Sequence, residues 1–254
     1  MSAARVLFDA HLHIVDPRFP LVANDGYLPP TFLATDYLAA VANLGVTGGA
    51  VVSGSFQAFD QDYLLAALAA LGPGFVGVTQ LPYSALDHEI LALDRAGVRA
   101  VRFNVYRGGS ESFGRIEKFA KRIHRLCGWH VELYADLAKL GLDELATLAR
   151  LPKLVVDHLG MSEAGLPHLI DLVRDGAKVK ATGFGRVLVD PADAMEKIAA
   201  ANPDALMFGT DLPSTRARRP FEPADIELIE GTLGPDLARK ALHDTARAFY
   251  APRG

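Results

Sequence analysis

Short β-rich apolar runs alternate along this chain with longer stretches whose apolar residues recur near every 3.6 positions. The candidate strands are "RVLFDAH" (5–11), "TGGAVVS" (47–53), "FVGVTQL" (75–81), "VRAVRFN" (98–104), "HVELYA" (130–135), "KLVVDHL" (153–159), "AKVKATG" (177–183) and "ALMFGTD" (205–211). A polar or glycine-rich loop follows each, then an amphipathic helical segment. Examples are "DYLAAVANLG", "DYLLAALAALG", "LDHEILALDRAG", "IEKFAKRIHRLCG" and "DAMEKIAAAN". Glycine often marks the segment's end, as helix C-caps require. A last helix is expected over about 235–249. Strands that alternate with helices are parallel and joined by crossovers. Eight such units close naturally into a (β/α)8 TIM-type barrel, an α/β fold, here as a single domain over 1–254. The alternative is an open doubly wound sheet, which carries a glycine-rich phosphate loop after its first strand. Here histidines and the long, proline-rich "IVDPRFPLVANDGYLPP" stand in that place, a loop suited to a lid or substrate contact.

Composition narrows the classes. The chain has 254 residues, half of them hydrophobic, enough for one large core. No apolar run approaches the roughly 18 residues of a membrane span, and the N-terminus has no long hydrophobic leader region. Cys127 is the sole cysteine, so no intrachain disulfide framework exists. These features together suggest a cytoplasmic protein with no membrane partner. Net charge is −4 with the signs mixed and no basic stripe, which argues against nucleic acid.

In a parallel barrel, chemistry sits at the C-terminal ends of the strands. Those ends supply Asp9, His11 and His13; Ser53 and Ser55; Arg102, Asn104, Tyr106 and Arg107; His130, Glu132 and Tyr134; Asp157 and His158; Lys180, Thr182 and Arg186; Thr210 and Asp211. His88, His124, His168 and His243 fall in helical segments and read as surface or capping residues. His11 and His13 share a strand face, so both are expected to point to the barrel axis. There they can ligate a divalent metal or polarise an oxyanion. Asp211 follows an apolar strand and Gly-Thr, a position for a general base acting on water; a turn or N-cap role before Pro213 is the alternative. Barrel closure makes strands 1 and 8 neighbours and brings Asp211 to the histidine pair. His158 is expected to point inward and Asp157, of opposite parity, to serve an arginine or a helix end. Arg102 suits a substrate carboxylate or carbonyl through bidentate bonds; an ion pair with Glu132 or Asp9 is its alternative. Arg186 and Arg107 are further anion-site candidates, and Glu132 and Lys180 can be structural polar residues of the barrel.

His-x-His on strand 1, "VRFN" on strand 4, "VVDHLG" on strand 6 and "FGTDLP" on strand 8 resemble the amidohydrolase superfamily. The similarity is greatest to its amidohydrolase-2 group, in the branch of the 2-pyrone-4,6-dicarboxylate and sugar lactonases. The resemblance spans nearly the whole chain and implies hydrolysis of a lactone. It implies that Asp211 activates water, that His11, His13 and His158 polarise the carbonyl, and that Arg102 and Arg186 bind substrate carboxylates. Asn104, Arg107, Ser53 and Tyr134 complete the expected substrate pocket, and the expected partner is a small carboxylated or sugar-acid lactone. The pyrone-dicarboxylate lactonases work without a metal, whereas most of the superfamily uses one or two ions. The sequence departs from the lactonase motif Asp-Trp-Pro-His, reading Asp211-Leu212-Pro213-Ser214. Strand 4 lacks the lysine that bridges two metals, which argues against a binuclear centre. The cofactor reading is therefore none or a single zinc, held by His11, His13 and Asp211 or His158, with Glu132 able to join. Two other readings stay open: a metal-dependent decarboxylase of the same superfamily, and a non-catalytic ligand-binding barrel.

Overall fold

A computed structural model describes residues 5–251, so the ends of the expected 1–254 domain lie outside the described residues. Eight parallel strands, paired in the order β1 to β8, form one sheet: β1 (Leu7–Leu12), β2 (Val46–Val52), β3 (Phe75–Thr79), β4 (Val98–Asn104), β5 (His130–Tyr134), β6 (Leu154–Val156), β7 (Lys178–Ala181) and β8 (Leu206–Phe208). The sheet curls into a barrel. Just past β8, the Asp211 amide donates to the His11 carbonyl at 2.7 Å and the His13 amide donates to the Leu212 carbonyl at 2.8 Å. The expected TIM-type architecture is therefore present, and the open sheet is not.

The helices follow their strands: α1 (Ala34–Val41), α2 (Asp62–Leu71), α3 (Asp87–Arg95), α4 (Ile116–Cys127), α5 (Leu142–Ala149), α6 (Leu166–Arg174), α7 (Pro191–Ala201), α8 (Pro223–Arg239) and α9 (Thr245–Phe249). In α4 the buried residues Ile116, Phe119, Ala120 and Ile123 recur at helical spacing, and Gly128 closes the helix in the left-handed conformation. At α7, Pro191 occupies the first turn and the Asp190 side chain accepts from the Asp193 amide at 3.0 Å. The closing helix differs from the expected 235–249. It begins at Pro223, breaks direction at Gly234 (φ 69°) before Pro235, and continues through a π-turn into α9. Proline removes a backbone donor, so the helical pattern reads as two pieces.

Strand side chains alternate between two layers. Leu7, Leu12, Val51, Val101, Phe103, Leu133, Val156 and Val179 pack outward with the helices. Phe8, Ala10, Val52, Val78, Ala100, Val155 and Met207 form an inner cluster with Tyr250. β6 to β8 are shorter than their apolar runs predict. The chain leaves extended geometry at His158 (φ 51°), Gly183 (φ 65°) and Asp211 (φ 59°), which turn residues into the mouth.

Candidate active site

β1 positions the two histidines through an irregularity. Between Asp9 and Leu12 its register slips against β2. Ala10 packs inside, yet Leu12 packs outside and the rings of His11 and His13 meet edge-on at 4.9 Å. The slip acts as a bulge and re-aims the following side chains. Asp9 falls on the other side of it. Its carboxylate accepts from Tyr37 Oη on α1, from the Thr210 amide and hydroxyl, and from the His11 amide. Burial nevertheless pushes its carboxyl up to about 6. Asp9 joins β1, α1 and the end of β8.

His13 Nδ1 lies 2.7 Å from the Val52 carbonyl. A carbonyl only accepts, so Nδ1 carries a hydrogen and Nε2 is the nitrogen turned toward Asp211. That Nε2 is 3.5 Å from Asp211 Oδ1, and His11 Nε2 is 3.7 Å from the same oxygen. His11 Nε2 and Asp211 Oδ1 are both buried without a hydrogen-bond partner. The other oxygen of Asp211 is fully engaged. Arg186 Nε donates to Oδ2 at 2.8 Å, its Nη2 donates there as well, and Nη2 also reaches the Thr215 carbonyl. Burial opposes ionisation of Asp211. Arg186, with His13, His158 and His11, outweighs burial and holds the carboxyl well below the usual range. Asp211 is thus a carboxylate with one oxygen clamped and one facing the histidines.

On its far edge, His11 Nδ1 sits 3.2 Å from Lys180 Nζ and 3.4 Å from Asp157 Oδ1. Burial keeps His11 neutral, and Lys180 reinforces this against the pull of Asp157. Asp157 and His158 were expected on opposite faces. Both reach the interior, because β6 ends at Val156 and the left-handed turn at His158 swings its ring to 4.8 Å from that of His11. Burial pushes His158 down to about 3, so it is neutral, and its buried Nδ1 has no partner. A β-carbon on Gly183 would stand 2.6 Å from that Nδ1. The turn after β7 needs glycine for space as well as for its positive φ.

Asp157 takes Arg102. Nε and Nη2 of Arg102 donate to Asp157 Oδ2 at 3.0 and 2.8 Å, and Nη1 donates to the Ser53 carbonyl at 2.9 Å. The arginine pairs with neither Glu132 nor Asp9. Glu132 lies deeper, bonded to Lys180, to Tyr250 Oη and, at 3.2 Å, to His130 Nε2. Glu132 is not brought to the His11, His13 and Asp211 group.

A small pocket opens above, lined by His13, Arg102, Asn104, Arg107, Tyr134, His158 and Arg186. Ser53 is not brought to it: its hydroxyl is bonded to Tyr63 Oη on α2 at 2.6 Å. Asn104 Oδ1 accepts from the Arg107 amide at 3.0 Å, which shapes the turn after β4. The same pocket includes Tyr27, Phe56, Thr215 and Arg216, none of them among the candidates at strand ends. Tyr27 belongs to the long first loop. Arg216 stands five residues beyond Asp211 in "STRARRP", where a charged run was the only signal. A larger hollow, lined by Phe8, Arg95, Arg99 and Tyr250, lies away from these histidines.

Chemically, the mouth holds two groups with metal-ligand potential: His11, His13 and Asp211, and His11, Asp157 and His158. It also pairs an ionised carboxylate with neutral imidazoles, a set able to deprotonate water and donate to a developing oxyanion.

A family model described as "Amidohydrolase" matches residues 8–251. A protein of Rhizobium radiobacter named 4-sulfomuconolactone hydrolase is 29% identical over 95% of this chain and 89% of its own length. A 2-pyrone-4,6-dicarboxylate hydrolase of Comamonas testosteroni is 32% identical over 60% of this chain and 51% of its own. A crystal structure from Agrobacterium tumefaciens superposes with a TM-score of 0.85 at 22% identity, covering 98% of this chain and 97% of the other, a likeness of fold.

Proposed function

Because the chain belongs to the amidohydrolase family, we propose that it is a hydrolase that opens a lactone bearing an acidic substituent, by attack of water on the ring carbonyl. One observation carries this reading. Asp211 keeps Oδ1 buried and unpartnered beside two imidazoles, while Arg186 fixes Oδ2. The names of the two hydrolase relatives support the substrate class. A non-catalytic barrel would have no use for the convergence of His11, His13, His158 and Asp211.

In this mechanism Asp211 Oδ1 accepts a proton from water as the oxygen attacks the lactone carbonyl. Arg186 keeps the carboxylate oriented and ionised. Neutral His158, which lines the pocket, donates to the carbonyl oxygen as negative charge develops. His11 and His13 hold the water against Asp211. As the tetrahedral intermediate collapses, the acyl C–O bond breaks and Asp211 returns its proton to the leaving alkoxide. The products are a hydroxyl and a carboxylic acid, which gives up its remaining proton to solvent, with no net transfer to the protein.

The residues also fit a single divalent ion. His11 Nε2 and Asp211 Oδ1 are buried orphans, His13 adds a third ligand atom close to both, and the N,N,O set suits zinc. Asp157 stands beside His11 Nδ1 as the outer carboxylate such sites carry. When bound by His11, His13 and Asp211, an ion would supply Lewis-acid polarisation and an acidified water. The test is hydrolysis of a panel of carboxylated, sulfonated and neutral lactones by wild type and Asp211→Asn. Wild-type turnover that the variant loses is expected; an inert wild type sinks the reading.

A further inference from the structure

Three buried groups of the barrel interior take no part in the steps above: Lys180 on β7, Glu132 on β5 and Tyr250 just beyond α9. Lys180 and Glu132 are wholly shut off from solvent. The Lys180 ammonium faces three acceptors. It donates to Glu132 Oε2 and, at 3.2 Å, to His11 Nδ1, and it lies 3.5 Å from Asp157 Oδ1. Glu132 is fixed in turn from beneath: its Oε1 accepts from Tyr250 Oη and lies 3.2 Å from His130 Nε2. Replacing such buried ions by apolar side chains of similar volume is often neutral or stabilising, so stability alone gives no reason for them.

The lysine decides where His11 carries its hydrogen. Burial keeps that ring neutral, so one nitrogen holds a hydrogen and the other a lone pair. An ammonium only donates, so the Nδ1 facing Lys180 is the acceptor. Asp157 Oδ1, 3.4 Å from the same Nδ1, has no hydrogen-bond partner, as expected where Nδ1 has no hydrogen to give. The hydrogen therefore sits on Nε2, the nitrogen 3.7 Å from Asp211 Oδ1. Those two atoms are too far apart to bond directly, and both are buried without a partner. One water oxygen can stand roughly 2.8 Å from each, accepting from His11 Nε2–H and donating to Asp211 Oδ1. An ion bound through Nε2 would need the hydrogen on Nδ1, against Asp157; Lys180 opposes that tautomer.

We propose that Lys180 is a positioning residue for the hydrolysis: held by Glu132, it fixes His11 as the tautomer with Nε2–H, and His11 then orients the attacking water with a hydrogen toward Asp211. The tautomer follows from the contacts of His11; its catalytic consequence rests on the lactone reading, with Asp211 as the base.

The test separates the two. Long-range proton–nitrogen NMR correlation of the histidine rings, on the protein as purified, reads which nitrogen holds the hydrogen; loss of signals in His11→Gln identifies those of His11. Lys180→Met is combined with Glu132→Gln, so that one cation and one anion leave the interior together. Values of kcat and KM for a carboxylated lactone are measured on wild type and on this double variant. Wild type is expected to carry the hydrogen on His11 Nε2. In the double variant it should move to Nδ1, where Asp157 accepts it. There kcat should fall by roughly 10- to 100-fold, the range for losing the outer partner of a site histidine, with KM little changed. A merely structural lysine would leave the tautomer in place. A wild-type His11 whose Nε2 has no hydrogen, bare or bound to an ion, overturns the proposal whether or not the variant folds. So does a double variant that retains the Nε2–H tautomer, or one that changes tautomer at unchanged kcat. A wild type with the Nε2–H tautomer that hydrolyses no lactone instead overturns the lactone reading and leaves the hold of Lys180 on His11 standing.

Discussion

Asp211 shows how one side chain is divided between structure and chemistry. Arg186 takes Oδ2 with two donors, so the carboxylate cannot rotate away from the histidines. On this account Arg186 acts through Asp211 and not on the substrate. Arg186→Lys keeps the charge but loses the planar fork. The expected result is a kcat reduced by about tenfold with KM little changed, the pattern for a transition-state interaction; steady-state kinetics checks it, and a raised KM at constant kcat would return Arg186 to substrate binding. Single residues differ in how far the sequence exposes them. His11, His13, His158 and Asp211 stand at strand ends, where periodicity and barrel closure locate them. The partners of Arg102 and Arg186 were not legible, because they depend on cross-barrel reach between β4 and β6 and between the loops after β7 and β8. Ser53 has the right position, but its hydroxyl turns outward to Tyr63. Arg216 lies beyond the strand end in a loop whose path only the fold determines.

At the scale of elements, the apolar runs predict eight strands and the crossover helices between them, but not where each strand stops. β6, β7 and β8 end early because the site needs left-handed turns at His158, Gly183 and Asp211, which propensity does not register. The slip in β1 is equally hidden, since it changes no residue type. The seam between β8 and β1 depends on Gly209: a β-carbon there would stand 2.7 Å from His11 Cβ and 2.8 Å from the His11 amide. Gly209→Ala must therefore push β1 away from β8. A loss of about 1–3 kcal/mol in urea unfolding is expected from overpacking, together with a fall in activity larger than that caused by an alanine at the exposed Gly231, where a β-carbon meets nothing.

Over the whole molecule, a ladder of buried charges runs from the mouth to the floor. Arg186 meets Asp211, Arg102 meets Asp157, and Lys180 meets Glu132, with Tyr250 and His130 beneath. Burial depresses the pKa of His130 below its ordinary 6.5, an effect Glu132 only partly opposes. The unfolded chain therefore takes up a proton that the fold refuses, and stability falls as pH drops below about 6.5. His11 and His158 act in the same direction. Asp9, raised to about 6, acts oppositely between its ordinary value and that point. His130→Asn should flatten the decline by up to one proton's linkage, about 1.4 kcal/mol per pH unit; urea unfolding from pH 7 to pH 5 reads it. Of this ladder, Arg186 is the member that holds Asp211 ionised and aimed at the histidines. The most direct test is kcat for a carboxylated lactone in Asp211→Asn, with circular dichroism matching wild type. The account predicts a fall of about 10²- to 10⁴-fold, the range for loss of a general base, and a folded variant that retains wild-type kcat would contradict it.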